Sequence, residues 1–230
     1  DKAIVKAAQL AEVPRLLDEA KKGGCPEGLC TELKQLLEQV AEDHALCVSK
    51  PPPDRGNKNF DIVLNGDAQL FKQVQWFERN PEALEARKAW ETDLLDSGRA
   101  ELKNPSEVKM ISNVTTPISA GKFRPCGVYN SLNDATVSKP RIMPVMRDQL
   151  RDLKANVGAL WVADIAKGFY SLQATERAQQ LLALWSVTAK GKVLVPKVMM
   201  FGPKNAPAFF DIVMDEAMMG LDLKRVVDDV

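Results

Sequence analysis

Three aspartates stand where carboxylates could hold metal ions. Asp164 follows the apolar run 160–163, and the adjacent Asp228 and Asp229 follow a second apolar run. Each run is typical of a buried strand, so each carboxylate is expected in apolar surroundings, where an uncompensated charge is costly. Carboxylates that meet from two strands are what two-metal phosphoryl transfer requires. An Asp pair alone is more often a solvated loop or a helix cap, so the neighbouring sequence must decide.

A ten-residue block between these aspartates resembles a motif of one polymerase family. Residues 201–210 read Phe-Gly-Pro-Lys-Asn-Ala-Pro-Ala-Phe-Phe, similar to the Phe-Gly-Leu-Lys-Asn-Ala-Pro-Ala-x-Phe motif of retrotransposon and pararetroviral reverse transcriptases. The block lies between Asp164 and the Asp228–Asp229 pair, in the order that the family requires. Helix-start chemistry explains Asn205 and Pro207 but not the other matching positions. The resemblance implies an RNA-directed DNA polymerase, a nucleotidyltransferase that copies RNA or DNA.

Two further blocks agree with this resemblance. Residues 164–172, Asp-Ile-Ala-Lys-Gly-Phe-Tyr-Ser-Leu, are similar to the family's motif around its first catalytic aspartate. This places Phe169 where a bulky residue abuts the sugar C2′ and disfavours ribonucleotides; outside the motif, core packing would be the preferred interpretation. Residues 122–133, Lys-Phe-Arg-Pro-Cys-Gly-Val-Tyr-Asn-Ser-Leu-Asn, resemble the fingers segment that ends in Tyr-Arg-x-Leu-Asn. This places Arg124 where the family grips the triphosphate with a planar donor.

The resemblance implies a full set of site residues. It is strongest over residues 122–139, 160–173 and 199–229, and closest to Ty3-type LTR retrotransposons. The implied catalytic and metal-holding residues are Asp164, Asp228 and Asp229, with Ile165 beside them at the metal site. The implied nucleotide-binding residues are Arg124, Lys122, Phe169, Phe201 and Gly202, and the implied template-binding residues are Lys204, Asn205 and Pro207.

The resemblance also implies cofactors, partners and a location. The carboxylates would bind two Mg²⁺ ions, with Mn²⁺ as a substitute. The partners would be a primed RNA or DNA template and deoxynucleoside triphosphates. The location would be intracellular, either cytoplasmic in a virus-like particle or nuclear.

The elements that position these residues follow from apolar periodicity and from Pro and Gly. Helices are predicted over 3–20, 31–43, 147–154, 175–184 and 206–219. Strands are predicted over 60–64, 108–114, 123–129, 160–163, 193–195, 197–201 and 225–227, with a turn at 119–121. Asn80 as cap and Pro81 in the first turn predict another helix, which runs to about Asp96 and stops at Gly98.

The resemblance implies an α+β fold, namely a polymerase palm with an antiparallel sheet backed by helices, bearing a fingers subdomain. Residues 1–50 form a preceding helical segment, residues 51–59 a Pro-rich linker, and residues 60–230 the fingers and palm. The first segment matches no family, and a separate helical interaction module would explain it but not the rest.

Charge is distributed unevenly along a chain whose net charge is zero. Residues 102–204 carry 15 Lys and Arg against 6 Asp and Glu, a net +9, whereas the flanking segments are acidic. A basic block of this kind suits phosphate neutralisation. No apolar run approaches the roughly 20 residues of a membrane span, and the first residues lack a secretory signal's apolar core. We therefore expect a soluble protein with no membrane partner.

Two other chemistries are suggested by short patterns and are disfavoured. Cys25, Cys30, His44 and Cys47 could be a zinc site, but their spacing matches no common zinc module and the region reads as an amphipathic helix. Asp96-Ser97-Gly98 spells the active-site triplet of retroviral-type aspartic proteases, but here it closes a helix.

Several positions depart from the family pattern. Val226 stands where Tyr or Phe is usual, Val128 and Asn130 replace an Asp and an Arg, and Lys122 is the only lysine of the fingers turn. The chain ends at Val230, directly after the Asp pair, so we expect a truncated palm with little polymerase activity on its own. An inactive, nucleic-acid-binding relative is the main alternative. An RNA-dependent RNA polymerase is a weaker one, because Phe169 would exclude ribonucleotides.

Overall fold

The computed structural model describes residues 2–139, 165 and 167–219. The backbone separates into two compact units, whose described parts are residues 2–51 and residues 52–139, 165 and 167–219. The predicted helix at 147–154 and the predicted strands at 160–163 and 225–227 lie outside the described residues. Among the residues described, no helix has the length and apolar character needed to cross a membrane.

The first unit contains two packed helices, α1 (Lys2–Lys22) and α2 (Glu27–Ser49). Gly24 has a φ of 85° in the turn between them, a value that favours glycine. Helix α2 is longer at both ends than the predicted 31–43. Its first turn starts directly after Pro26, where Glu27 places a negative charge at the positive end of the helix.

Helix α3 (Pro81–Asp96) confirms the prediction from Asn80, Pro81 and Gly98. The Asn80 side chain accepts hydrogen bonds from the Glu82 and Ala83 backbone N–H groups, and Pro81 occupies the first turn. Gly98, with a φ of 68°, follows the C-terminal end. Asp96-Ser97-Gly98 therefore closes a helix, as expected, and the Ser97 hydroxyl donates back to the Asp93 carbonyl.

Three small antiparallel sheets follow. Strands β1 (Ala100–Lys103), β6 (Leu184–Trp185) and β7 (Val193–Pro196) form one sheet in the order β1-β7-β6. Strands β2 (Asn113–Thr115) and β5 (Cys126–Val128) pair with each other. Strands β3 (Ile118–Ser119) and β4 (Lys122–Phe123) form a hairpin. Ala120 and Gly121, with φ values of 49° and 74°, form its turn as predicted.

Short helices connect these sheets. Helix α4 (Asn130–Ala135) follows β5, a 3-10 turn spans Gly168–Ser171, and helices α5 (Glu176–Leu181) and α6 (Ala206–Ala217) come later. The Thr175 hydroxyl caps α5 by accepting from the Ala178 N–H. Helix α5 ends before the predicted residue 184 because Leu184 is paired with β7 instead.

The larger of two apolar clusters among the described residues holds the second unit together. It joins Phe60, Leu94, Leu132, Phe169 and Leu194, which come from five different elements or loops. The prediction of strands at 60–64 and 197–201 is wrong, because these stretches form only isolated β-bridges, such as Phe60 with Ala174. The α+β fold class is confirmed.

Candidate nucleotide and template site

The turn at residues 201–205 is docked on α4 by one asparagine. Asn133 donates from Nδ2 to the Gly202 carbonyl at 2.9 Å, and its Oδ1 accepts from the Lys204 N–H at 2.7 Å. A single side chain therefore satisfies a carbonyl and an N–H of the turn, and so holds two of the sequence blocks together. Asn133 was part of a recognised block, but the sequence assigned it no role.

Two residues of this turn that were predicted to bind template also make internal contacts. The Asn205 side chain is buried; its Oδ1 accepts from the Lys139 N–H at 3.0 Å and its Nδ2 donates to the Val137 carbonyl at 2.8 Å. The Lys204 ammonium donates to the Thr136 carbonyl at 3.0 Å, while the side chain remains exposed. Asn205 thus positions the turn, whereas Lys204 keeps a charge at the surface.

Gly202 occupies a position that no other residue fits well. Its φ is 106°, outside the range that side chains favour. A Cβ there would lie 3.1 Å from both the Gly127 carbonyl oxygen and the Tyr129 ring. The backbone at Gly202 therefore lies directly against β5. Gly202 is one of the residues predicted to bind nucleotide, and the structure shows that its backbone also makes a close approach to β5.

The Tyr129 ring packs against both Gly202 and Gly127 at this contact. The ring is buried and its hydroxyl donates to the Leu182 carbonyl at 3.0 Å. A Cβ on Gly127 would lie 2.3 Å from the ring, so glycine is required there too. Burial raises the pKa of Tyr129 well above its ordinary value.

Phe169 lies in a cluster of aromatic rings. It stacks on Phe201 with ring centroids 4.6 Å apart and contacts Phe210 at 5.1 Å, while Tyr170 meets Phe201 edge-on at 5.4 Å. Only 2% of Phe169 is exposed. Two residues predicted to bind nucleotide, Phe169 and Phe201, are therefore in direct contact, and most of the Phe169 ring serves the core.

The turn that carries Phe169 is held by α3. Lys167, at a φ of 54°, forms a 2.8 Å ion pair with Asp93, and the Trp90 indole donates to the Tyr170 hydroxyl at 3.1 Å. Burial raises the pKa of Tyr170 to about 12, and the Trp90 hydrogen bond opposes this shift. The predictions did not include these contacts, because nothing in the spacing of α3 indicates its partner.

Glycine is also required at the start of that turn. A Cβ on Gly168 would lie 2.8 Å from the Phe210 ring. The Gly168 N–H donates to the Ile165 carbonyl at 3.2 Å. A carbonyl oxygen has two lone pairs, so this hydrogen bond uses one of the two acceptor positions of the Ile165 carbonyl.

The predicted triphosphate residues lie on the β3–β4 hairpin. Lys122 and Arg124 are exposed and two residues apart, the spacing that places side chains on one face of an extended segment. The Arg124 N–H donates to the Pro117 carbonyl at 2.9 Å, which fixes the backbone at the base of the hairpin. From there the chain enters β5, which contacts Gly202.

The three predicted metal-holding aspartates, Asp164, Asp228 and Asp229, lie outside the described residues, as does Val226. Over the described residues, no group of three or more His, Cys, Asp or Glu side chains could hold a metal ion. Cys25 and Cys30 are free thiols there, and the Cys30 thiol donates to the Cys25 carbonyl at 3.6 Å.

Helix α4 borders a polar groove of about 410 Å³ on another side. It is lined by Asn65, Asp67, Gln69, Phe71, Ser131 and Asp134. The Asn65 amide donates to the Asp134 carbonyl at 3.3 Å. The two carboxylates in this lining disfavour phosphate binding in the groove.

Comparisons with known proteins agree on one fold. The prototype foamy virus protease-reverse transcriptase superimposes with a TM-score of 0.66 at 20% identity, covering 87% of this chain and 26% of that one. A foamy viral protease-reverse transcriptase in complex with an RNA/DNA hybrid gives 0.64 at 16% identity, with coverage of 87% and 26%. One in complex with dsDNA gives 0.58 at 18% identity, with coverage of 85% and 40%. The chain therefore has a reverse-transcriptase-like fold.

Sequence comparison points the same way. The enzymatic polyprotein of Soybean chlorotic mottle virus is 24% identical over 208 residues, which cover 86% of this chain and 28% of the polyprotein. No protein-family profile matches the chain. The chain spans about a quarter of the length of these first relatives.

Proposed function

We propose that this chain carries the nucleotide and template site of an RNA- and DNA-templated DNA polymerase. The observation that carries the proposal is the docking of residues 201–205 on α4 through Asn133, within a reverse-transcriptase-like fold. This contact joins the two blocks whose residues are assigned to nucleotide and template. Several of the foamy viral relatives were solved with RNA/DNA hybrid or dsDNA, which supports a nucleic-acid partner.

The carboxylates Asp164, Asp228 and Asp229 would hold Mg²⁺. Their oxygen donors are the ligand type that Mg²⁺ prefers, and the Ile165 carbonyl offers a further oxygen. When bound, Mg²⁺ would supply charge neutralisation at the transferring phosphoryl group. Arg124 and Lys122 would contact the triphosphate, since both are exposed cations on one hairpin.

The aromatic cluster would fix the position of the Phe169 ring edge against the nucleotide sugar. Phe169 is fixed between Phe201 and Phe210, so a ring edge there cannot withdraw from a 2′-hydroxyl without disturbing the core. Gly202 would bring the turn's backbone to the template side. Lys204 would contribute a surface charge there, and Asn205 and Pro207 would shape the turn and the start of α6.

A second candidate is an inactive relative that binds nucleic acid only. Val128 and Asn130 favour it, since they stand where the family has an acid and a base. Val128 pairs with Asn113 in the β2–β5 sheet, and Asn130 begins α4. The fold accommodates both replacements, so stability does not distinguish the two candidates.

Nucleotide binding on a terminated primer–template distinguishes them. We expect the 230-residue chain to bind the next complementary dNTP in the presence of Mg²⁺, measured as tighter binding of a labelled primer–template. Asp228→Asn and Arg124→Ala should each remove at least about 90% of that gain, as expected when a charged contact is lost. Lys190→Ala, an exposed cation of the β6–β7 turn, is the matched control and should leave it unchanged. Primer–template binding with no dNTP effect would support the inactive relative.

A further inference from the structure

Helix α2 of the first unit carries a line of apolar side chains that its own hairpin leaves uncovered. Leu29 is 53% exposed, Leu36 59% and Val40 49%, and Leu33 beside them is half-buried. We call these four residues the apolar stripe. Their spacing of four, three and four residues is the heptad spacing of a helix that packs along a second helix. Single exposed apolar residues are normal, whereas a line of four requires an explanation.

The hairpin of α1 and α2 has little core of its own. Among its described side chains, the buried ones are Val13, Cys30 and Ala41, all of modest size. Two helices with so small a core are marginally stable alone, because most helix stability in proteins comes from packing of an apolar face. A second pair of helices over the apolar stripe would complete a four-helix bundle, in which every helix has two packed neighbours.

The positions within the apolar stripe are self-complementary. We propose that the stripe packs on the same stripe of a second copy of this chain, with the two α2 helices antiparallel. In that alignment Leu29 of one copy meets Val40 of the other, and Leu33 meets Leu36. The twofold axis repeats each of these contacts, so four apolar layers form and the interface closes on itself as a dimer.

The acids of α2 that lie among these layers do not oppose the pairing. Glu32 comes opposite Leu37 of the second copy, and Glu38 comes opposite Thr31, so neither acid faces another acid. Within its own helix, the Glu38 carboxylate also lies 3.9 Å from the Lys34 ammonium, which partly offsets its charge. The antiparallel alignment therefore brings apolar groups together without placing these like charges against each other.

The charge of the hairpin favours a second copy over a membrane surface. Helix α2 carries five Asp and Glu against one Lys, whereas membrane surfaces are negative and attract basic helices. Residues 1–50 together carry seven Lys and Arg against nine Asp and Glu, and the whole chain has no net charge. Net charge therefore opposes association between two copies only weakly.

The hairpin is long enough for a specific interface. Helix α2 has 23 residues, which is about 35 Å at a rise of roughly 1.5 Å per residue, and two packed helices are about 20 Å wide. Such a face offers on the order of 700 Å² per copy, or about 1,400 Å² in a dimer, above the roughly 1,000 Å² that a specific interface needs. This is near the small end of stable interfaces, so we expect a dimer that dissociates on dilution.

Sedimentation equilibrium of the full chain between about 1 and 100 μM tests the proposal. We expect a reversible dimer. Leu29→Glu and Val40→Lys each place a charge against an apolar residue, so each should weaken the dimer at least about tenfold. Both side chains are about half exposed in the hairpin, so helix content by circular dichroism should not change. Val74→Lys/Phe77→Glu is the matched control, because these residues of the second unit are 84% and 81% exposed, and it should leave the dimer intact.

A mixture of the two variants tests the antiparallel arrangement. The Leu29→Glu chain and the Val40→Lys chain would share one restored contact between Leu29 and Val40 and one new contact between the introduced Glu and Lys. The mixed dimer, followed with one chain fluorescently labelled, should therefore be at least about threefold tighter than the dimer of either variant alone. In a parallel pair residue 29 would meet residue 29, and mixing would restore nothing.

Several results would overturn the proposal. They are a monomer at every concentration, a dimer that Leu29→Glu and Val40→Lys leave intact, or a control variant that weakens the dimer as much as they do. A mixed dimer no tighter than the variants would overturn the antiparallel pairing. A monomer that binds phosphatidylcholine vesicles through the apolar stripe would assign the stripe to a membrane. The proposal concerns the first unit only, so it stands or fails independently of the proposed function.

Discussion

Gly202 and Asn133 show at the residue scale how the site is assembled. Neither contributes a chemical group to a reaction. Gly202 allows a turn to lie against β5, and Asn133 satisfies the turn's backbone groups at 2.9 and 2.7 Å. Motif matching identified both positions, but their physical roles follow only from the three-dimensional contacts.

Gly202→Ala should destabilise the chain more than a substitution that costs backbone strain alone. Gly191→Ala is the matched control, since Gly191 has a φ of 74° and no atom within 4 Å of an added Cβ. We expect Gly202→Ala to lower the free energy of unfolding by at least about 1 kcal/mol more than Gly191→Ala, because it adds an overpacking cost. Urea unfolding measures both, and equal losses would contradict the described approach of Gly202 to β5.

Asn133→Ala should lower the free energy of unfolding by about 1–3 kcal/mol, because the Gly202 carbonyl and the Lys204 N–H both lose their partner. Asn133→Asp keeps the acceptor for the Lys204 N–H but leaves the Gly202 carbonyl without a donor. It should therefore also lower the free energy of unfolding. Urea unfolding with dNTP binding as a second readout checks this. Unchanged dNTP binding in a folded Asn133→Ala variant would show that the turn's position is unimportant to the site.

The chain has two tyrosines, Tyr129 and Tyr170, and both are buried. Burial raises both pKa values, that of Tyr170 to about 12. The folded chain should therefore show no tyrosinate absorbance at pH 10.5, whereas the chain in urea should titrate near pH 10. Tyrosinate appearing near pH 10 in the folded chain would show that these rings are accessible.

The raised pKa values of the two tyrosines make the free energy of unfolding depend on pH. A raised pKa means that the folded chain holds the phenolic proton more tightly than the unfolded chain does. Stability is therefore fully present below about pH 10 and falls as pH rises towards 12. For Tyr170, a shift from 10.0 to about 12 corresponds to a loss on the order of 3 kcal/mol. Tyr170→Phe should reduce this alkaline slope, measured by urea unfolding at pH 9 and pH 11.

At the scale of elements, α3 connects the parts of the second unit. Its Trp90 and Asp93 hold the turn that carries Phe169. Its Arg87 and Glu91 hold the end of β6 and the segment that follows it. Glu91 accepts from the Ser186 hydroxyl, the Val187 N–H at 2.9 Å and the Thr188 hydroxyl at 2.6 Å. Burial lowers the pKa of Arg87, and the nearby Glu91 opposes that shift.

Glu91→Ala should therefore be strongly destabilising, by about 3–5 kcal/mol, since it leaves three donors without their acceptor and the buried Arg87 without its nearby opposite charge. Glu85→Ala on the same helix is the matched control. Glu85 forms an exposed 2.7 Å pair with Lys88, so its loss should cost at most about 0.5 kcal/mol. Chemical unfolding measures both, and similar losses would contradict the buried role of Glu91.

Element prediction from sequence succeeded where local chemistry decides. Helix α3 starts and stops where Asn80, Pro81 and Gly98 indicated, and the β3–β4 turn falls at Ala120 and Gly121. It failed where distant partners decide. Leu184 leaves the helical pattern because β7 provides a strand partner, and residues 60–64 remain extended without forming a full strand.

The candidate site was predictable as a set of positions but not as an arrangement. The aromatic contacts among Phe169, Phe201 and Phe210 follow from the motif only once the fold is known. Asn113, whose side chain and backbone bond to the segment 73–76, lies in a plain strand sequence and carries no motif. Assignment to a Ty3-type element and the roles of Asp164, Asp228 and Asp229 remain predictions.

At the scale of the whole molecule, charge is distributed unevenly along the sequence. The net charge is zero, yet residues 102–204 carry an excess of nine positive charges. Primer–template affinity should therefore fall steeply between 50 and 200 mM salt, with a log–log slope of about −0.9 per phosphate contacted. A slope near zero in the same titration would show that the basic block does not meet the phosphates.

The most direct test of the central claim is template-directed selection of a nucleotide. Affinity of the chain for a chain-terminated primer–template is measured with Mg²⁺ and each of the four dNTPs, and then again with a different templating base. A tighter complex should form only with the complementary dNTP, the preferred dNTP should change with the template, and the matching ribonucleotide should not replace it. Intact primer–template binding that no nucleotide alters, or that all four alter equally, would contradict a templated polymerase site.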